Sequence, residues 1–146
     1  GMKNQCASVV VCRMPLMFGR SGTTASSFLQ PLLKQMKSGA AVNLFVDEFR
    51  TPLSGKNAAE GLMIALQRLP DVVHFGGLER ISRYEFGRLA MEVFSYRNAN
   101  LNPCKQREIQ MPAPRPIDVS LTNAKAVQMG FQPEPIKASL ERLKAA

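Results

Sequence analysis

The sequence predicts an α/β fold in which short strands alternate with helices, and three observations carry that prediction. Apolar runs rich in β-branched residues recur at residues 7–12, 42–46 and 72–75. The first of them is apolar on both faces, as expected of a strand in a parallel sheet covered by helices. Between them lie segments whose apolar residues repeat at helical spacing, with their own start or stop signals. The chain has 146 residues and is 45% hydrophobic. This suits one domain with an ordinary core rather than a disordered chain, and residues 1–146 are read as that domain.

The first strand covers residues 7–12. Arg13 and Pro15 end its regular part, and Leu16, Met17, Phe18 and Gly19 lead into a polar loop over residues 20–27. A helix is expected from Ser26 or Ser27 to Lys37, with Phe28, Leu29, Leu32, Leu33 and Met36 at helical spacing. Pro31 fits only its first turn, and Ser38-Gly39 stops it. Residues 42–46 form the next strand, and residues 50–54 are extended, because the residue before Pro52 is pushed out of the helical region. Asn57 then caps a helix to Leu69, with Ala58, Leu62, Ala65, Leu66 and Leu69 facing inward. Pro70-Asp71 turns the chain into the strand at residues 72–75.

Ser82 and Glu85 form a capping box for a helix that ends near Tyr96 and buries Phe86, Leu89, Ala90, Val93 and Phe94. Residues 97–118, rich in Asn, Pro and polar types, read as an irregular surface wrap, with Ile109 and Met111 tucked inward. A short helix over residues 123–129 stops at Gly130, and residues 131–133 are extended. A last amphipathic helix runs over residues 135–144, with Ile136, Leu140 and Leu143 facing in.

Nineteen Lys and Arg against eleven Asp and Glu give a formal charge of +8. Such an excess favours anionic partners. The basic residues are scattered, which argues for a solvated surface or a phosphate pocket over a nucleic-acid stripe. No apolar run approaches the roughly 18–20 residues of a membrane-spanning helix, and the N-terminus shows no secretion-signal pattern. Cys6, Cys12 and Cys104 are odd in number and widely spaced, which argues against a disulfide framework and for a reducing cytoplasm. With no CxxC pair and a single histidine, His74, the usual zinc ligand set is missing. His74 sits in an apolar run and reads as a strand histidine with a satisfied ring, since a catalytic one needs a positioned partner.

Three constellations could carry chemistry. Gly19, Gly22 and Ala25 lie between a strand and a helix and fit GxxGxxA, with Asp47 about where a ribose-binding acid would stand. Read alone, they make a dinucleotide fingerprint. Arg13 and Pro15 at the strand-to-turn join, and Pro31 in the helix, count against it. The second is Arg50, on an extended segment just before a helix, where a guanidinium can fork across two phosphate oxygens. The bland alternative is a surface arginine paired with Asp47 or Glu48. The third is Arg115, stiffened by Pro114 and Pro116, so that little entropy is lost when it clamps an anion. Its alternative is a turn-stabilising pair with Asp118.

The stretches FVDEFRTPLSGKNAAEGLMIAL (residues 45–66), VVHFGGLERISRYEFGRLAMEVF (residues 72–94) and APRPIDVSLTNAKAVQMGFQP (residues 113–133) resemble the C-terminal half of extended short-chain dehydrogenase/reductases. The dTDP-4-dehydrorhamnose reductase-like and NAD-dependent epimerase/dehydratase families are nearest, and VVVCRMPLMFG (residues 9–19) resembles the late Rossmann strand and loop leading into the substrate domain. The resemblance implies that Arg50 and Arg115 reach a sugar-nucleotide pyrophosphate. It implies that Phe45 belongs to the wall beside the base, and that Phe18 and Gly19 lie next to the sugar and nicotinamide. Ser82 to Phe86 match a helix start that is structural in the family.

The family transfers hydride with NAD or NADP held by a glycine-rich turn and with a Tyr-xxx-Lys pair. Here Tyr84 is followed four residues on by Arg88, and Tyr96 by Asn100, so neither makes the pair. The resemblance therefore implies a truncated homologue lacking the N-terminal cofactor-binding half. It would bind a nucleotide sugar, bind no cofactor by itself and be inactive alone. A complementing N-terminal half chain or a homo-oligomer would cover the edge of the first strand. A non-catalytic regulatory or binding module, and a compact dinucleotide binder using residues 19–25, remain alternatives.

Overall fold

Parallel strand pairs brought together from distant parts of the chain organise the fold. The computed structural model describes residues 9–20, 22, 27–67 and 71–146. Strand β1 (Val10–Arg13) pairs in parallel with β6 (Asp71–His74), in the register Val10 to Asp71 and Arg13 to His74. Strand β3 (Ala41–Phe45) pairs in parallel with β8 (Asn100–Cys104). Parallel neighbours need long crossovers, and the helices supply them. Met17–Phe18, on the stretch expected to lead into the loop, forms the short strand β2, parallel to β5 (Leu53–Ser54). Strand β4 (Phe49–Arg50) runs antiparallel to β7 (Ile81–Ser82).

Helix α1 (Leu29–Ser38) carries Pro31 in its first turn and buries Leu29, Leu32 and Met36. Gly39 ends it at φ +71°, its N–H donating to the Met36 carbonyl, in a left-handed conformation that glycine adopts without a side-chain penalty. Helix α3 (Arg83–Phe94) opens with the expected capping box: Ser82 Oγ accepts from the Glu85 N–H at 3.1 Å, and the Glu85 carboxylate accepts from the Ser82 N–H at 2.6 Å. Helices α4 (Ala124–Gln128) and α5 (Ile136–Ala145) complete the chain, the latter burying Ile136 and Leu140.

Helix α2 (Gly55–Leu66) differs from the sequence expectation in start and rotation. Ser54, not Asn57, is the cap; its Oγ accepts the Asn57 N–H. Asn57 is buried and ties the helix to a later segment, its Oδ1 accepting the Glu134 N–H at 2.8 Å. Ala58, Gly61 and Ala65 face inward, whereas Leu62 and Leu66 are 45% and 59% exposed. The reason is close approach: a Cβ on Gly61 would stand 2.6 Å from the Phe75 ring, so only the small-residue face fits. Leu69 lies outside the described residues, as do Ala7 and Ser8 of the first expected strand, and Ser21 and Thr23 to Ser26 of the loop.

Strand β8 was expected to be irregular. NLNPC carries little strand propensity and its proline lacks a donor, so only its partner β3 makes it a strand. Ile109 is 36% exposed rather than tucked in, while Met111 is half-buried. Two apolar clusters form the core. One gathers Phe18, Leu32, Met36, Phe86, Val93 and Leu140; the other gathers Leu53, Ala65, Val73, Phe75, Ala126 and Phe131. Among the described residues no helix is long and apolar enough to cross a membrane.

Candidate functional site

Three segments far apart in sequence run side by side and deliver their arginines to one carboxylate. The β4–β7 pairing sets Phe49 opposite Ser82 and Arg50 opposite Ile81. The third segment joins β4 from the other side. The Phe49 N–H donates to the Ile117 carbonyl at 2.7 Å, and the Val119 N–H donates to the Phe49 carbonyl at 3.3 Å. Behind this join, two glycines let the chain cross at contact distance: a Cβ on Gly76 would stand 2.1 Å from the Leu121 carbonyl oxygen, and one on Gly77 would stand 2.0 Å from that of Pro52.

Glu48 is the convergence point and is 1% exposed. Its Oε1 lies 2.9 Å from Arg115 Nη2, 3.3 Å from Arg50 Nη2 and 3.8 Å from Arg83 Nε. Three guanidiniums against one carboxylate leave the cluster with excess positive charge. Glu48 Oε2 is buried without a hydrogen-bond partner among the described residues.

The three arginines are held differently. Arg50 is almost buried and is also bound by main chain, donating to the carbonyls of Phe49, Ile117 and Pro116. Arg83, at the first turn of α3, lies over the Phe28 ring, 4.4 Å from its centroid. Its burial, reinforced by the like charges of Arg115 and Arg50, pushes its pKa below the ordinary arginine value, with Glu48 opposing. Arg115 has a half-exposed side chain and reaches over Phe45 at 5.9 Å. Beside Arg83 opens a cleft of about 240 Å³ walled by Phe28, Leu32, Val42 and Leu44, with the amide-bearing Gln35 and Asn43 on its lining.

Of the residues singled out from sequence, Arg50, Arg115 and Phe45 come together here. Phe18 does not open onto the cluster: it is buried in the core, edge-on to Phe86. Gly19 belongs to another set of contacts, its carbonyl accepting from Gln30 Nε2. Asp118 pairs with Arg80, not Arg115, and accepts from Ser120; these bonds, Ser120's above all, hold its carboxyl down to about 2. Arg80 in turn lies over the Phe49 ring at 3.9 Å. Asp47 accepts the Gln106 N–H. His74 ends β6 with Nε2 3.2 Å from Arg13 Nη1.

The Arg50–Glu48 pair is the partner the sequence offered as the alternative for Arg50, but buried rather than on the surface, and the sequence reading missed that Arg83 joins it. Nothing in the order of residues around Ser82 distinguishes a helix-start arginine on the surface from one turned into a charge cluster.

The fold has known counterparts. The crystal structure of a dTDP-4-dehydrorhamnose reductase from Clostridium acetobutylicum is 20% identical and superimposes with a TM-score of 0.78 over 92% of this chain and 47% of that one. The Bacillus anthracis dTDP-4-dehydrorhamnose reductase in complex with NADP is 18% identical, with a TM-score of 0.76 over 92% and 46%. The UDP-glucuronic acid 4-epimerase from Bacillus cereus, in complex with UDP-glucuronic acid and NAD, is 19% identical, with a TM-score of 0.73 over 94% and 44%. The chain thus spans a little under half the length of these proteins. No curated protein sequence matches it significantly. Its Rossmann-like α/β arrangement is that of the reductase and epimerase structures. With a model described as the RmlD substrate binding domain matching residues 2–146, the chain belongs to that family.

Proposed function

We propose that the chain is the nucleotide-sugar-binding part of an NAD(P)-dependent reductase or epimerase system, with the excess charge around Glu48 receiving the ligand's diphosphate. The observation that carries this reading is the convergence of Arg50, Arg83 and Arg115 on one buried oxygen. Guanidiniums held by a carboxylate are preorganised, so an incoming anion orders them at little entropic cost. Arg115, the most exposed of the three, makes the first contact. Arg50 acts mainly from behind, because its donors are already engaged by main-chain carbonyls. Phe45 offers a flat wall beside Arg115, and the cleft beside Arg83 offers apolar surface next to the charge. Phe18 and Gly19 contribute through the loop's position, not through a side chain in the site.

NAD or NADP supplies hydride chemistry where it is bound, as the neighbours' complexes contain it. The residues of this chain do not fit that role: Tyr84 and Tyr96 lack the lysine four positions on. We propose that the cofactor side lies in polypeptide outside residues 1–146.

The test is calorimetry with dTDP- and UDP-sugars, paired with NADPH oxidation. Binding is expected, weakened about tenfold or more by Arg115→Ala, consistent with loss of a charge-assisted contact of about 1.5–3 kcal/mol. The isolated chain is expected to show no NADPH turnover. Absence of binding at millimolar ligand, or binding indifferent to Arg115→Ala, would overturn the site. Clear turnover by residues 1–146 alone would overturn the placing of the cofactor side outside them.

A further inference from the structure

We propose that a groove on the opposite side of α1 from the cleft beside Arg83 is a second binding site, built for a planar aromatic molecule carrying one negative charge. It uses none of the side chains around Glu48 and stands independently of the nucleotide-sugar reading.

The groove has a volume of about 410 Å³ and lies between α1, the end of α3 and the end of α5. Helix α1 gives it Leu29, Gln30 and Leu33, whereas Phe28, Leu32 and Gln35 line the cleft beside Arg83. At 100° per residue these two sets occupy opposite sides of the helix. Phe94 ends α3 where Arg83 begins it, so the two sites are about 16 Å apart along that axis.

The wall of the groove suits a flat ring. Phe94 and Tyr96 are half-buried and offset-stacked, with ring centroids 6.0 Å apart and planes 23° from parallel. Leu29, Leu33 and Leu143 supply aliphatic surface beside them. A ring laid against this wall extends the aromatic stack and is taken out of water on one face.

The rim is cationic. Arg20 and Lys144 are both exposed. Arg20 Nη2 donates to the Leu143 carbonyl at 3.2 Å, and Lys144 Nζ donates to the Val93 carbonyl at 2.7 Å and to Ser95 Oγ at 3.2 Å. Neither pairs with a carboxylate among the described residues. Glu92 and Glu141, which share the adjoining groove with Lys144, act on Lys137 instead. The carbonyls they cover belong to the last turns of α3 and α5, and a helix end carries about half a negative charge. Two cations over two such ends leave a surplus of about one positive charge. Both cations also keep donors in hand, since an ammonium has three and a guanidinium five. That surplus fits a single carboxylate or sulfonate rather than a diphosphate.

Gln30 adds a polar requirement. Its Nε2 donates to the Gly19 carbonyl at 2.9 Å, while its Oε1 is buried with no hydrogen-bond partner. A buried acceptor left unpaired is costly, and an N–H or O–H on the occupant removes that cost. The ring that fits therefore bears a donor as well as an anionic group.

The probe is a hydroxynaphthoate with its hydroxyl and carboxylate at opposite ends, titrated into the chain and followed by calorimetry and NMR. It is expected to shift the Tyr96 ring and the methyl groups of Leu33 and Leu143, and to leave those of the exposed Leu62 and Leu66 unchanged. Arg20→Gln and Lys144→Gln, both at exposed positions, are each expected to weaken binding roughly fivefold or more without altering the circular dichroism spectrum. The uncharged hydroxynaphthamide should bind more weakly by a similar factor. No binding at millimolar probe, equal binding of the amide, or octanoate binding as tightly as the naphthoate would overturn the site. So would displacement of the probe by UDP-glucose, or shifts confined to Phe45 and Arg115, since the probe would then occupy the arginine cluster. If the naphthoate binds as expected and nucleotide sugars do not, the reading of the Glu48 cluster fails and this site stands.

Discussion

Glu48→Gln is the most informative single change, because it removes a charge without changing the shape of the side chain. In the native structure Glu48 Oε1 faces Arg115, Arg50 and Arg83 at 2.9, 3.3 and 3.8 Å. The three pairs are unequal. The Arg115 side chain is 47% exposed, and a pair so wet contributes about 0.2–1 kcal/mol. Arg50 is 11% exposed and Glu48 is 1% exposed, so losing the carboxylate leaves a guanidinium nearly out of water with only carbonyl partners. Breaking such a pair from one side costs about 3–5 kcal/mol. Glutamine retains one oxygen acceptor, so the low end, about 3 kcal/mol, is expected. At about 2–4 °C per kcal/mol for a chain of this size, the melting temperature should fall by roughly 6–12 °C. Urea unfolding read by circular dichroism, wild type against variant, measures the change at constant slope. The double variant Glu48→Gln, Arg50→Met should recover more than about 1 kcal/mol relative to the sum of the singles, since it removes the most buried of the three guanidiniums that Glu48→Gln leaves without a counter-charge. A Glu48→Gln variant within about 0.5 kcal/mol of wild type, or strictly additive singles, would refute the idea that Glu48 holds this cluster together.

Three further outcomes are expected. Gly76→Ala and Gly77→Ala press a methyl group into the carbonyls of Leu121 and Pro52, and because main chain cannot step aside as a side chain does, each should cost about 3 kcal/mol or more; a urea midpoint equal to wild type would contradict the close crossing. Asp118 should titrate near 2 rather than 3.8 by carbon-detected NMR, rising towards 3.8 in Ser120→Ala; its folded value lies below the unfolded one, so its contribution to stability is present above pH 4 or so and fades as the pH falls towards 2. Burial pushes the Cys12 and Cys104 thiols up, so at pH 7.5 they should react with a disulfide reagent at least about tenfold more slowly in the native than in the urea-unfolded chain. Equal rates at those two positions, mapped by mass spectrometry, would show them to be open.

Helix α3 was legible because its signals are neighbours: Ser82 and Glu85 meet within one turn, and Phe86, Ala90 and Val93 repeat along one face. Helix α1 was legible for the same reason, through Pro31 near its start and Gly39 at its end. The rotation of α2 was not, because leucine periodicity assumes that large residues go inside. Here Phe75 demanded Gly61 on the inner face and turned Leu62 and Leu66 out. Strand β8 was hidden for a related reason, since its strand character comes from β3 and not from NLNPC itself.

The same division runs through the site. Residue order and composition were enough to identify the α/β class, the basic excess, the two arginines flanked by stiff extended chain, and the family likeness. These depend on spacing within a dozen residues or on chain-wide sums. That Arg50, Arg83 and Arg115 share one buried oxygen, that Phe18 is core rather than lining, and that one flank of α2 is left bare depend on which distant segments lie side by side. Pairings of that kind are decided by where apolar surface can be buried and main-chain hydrogen bonds closed across the whole molecule. No local stretch of amino acids carries that information alone.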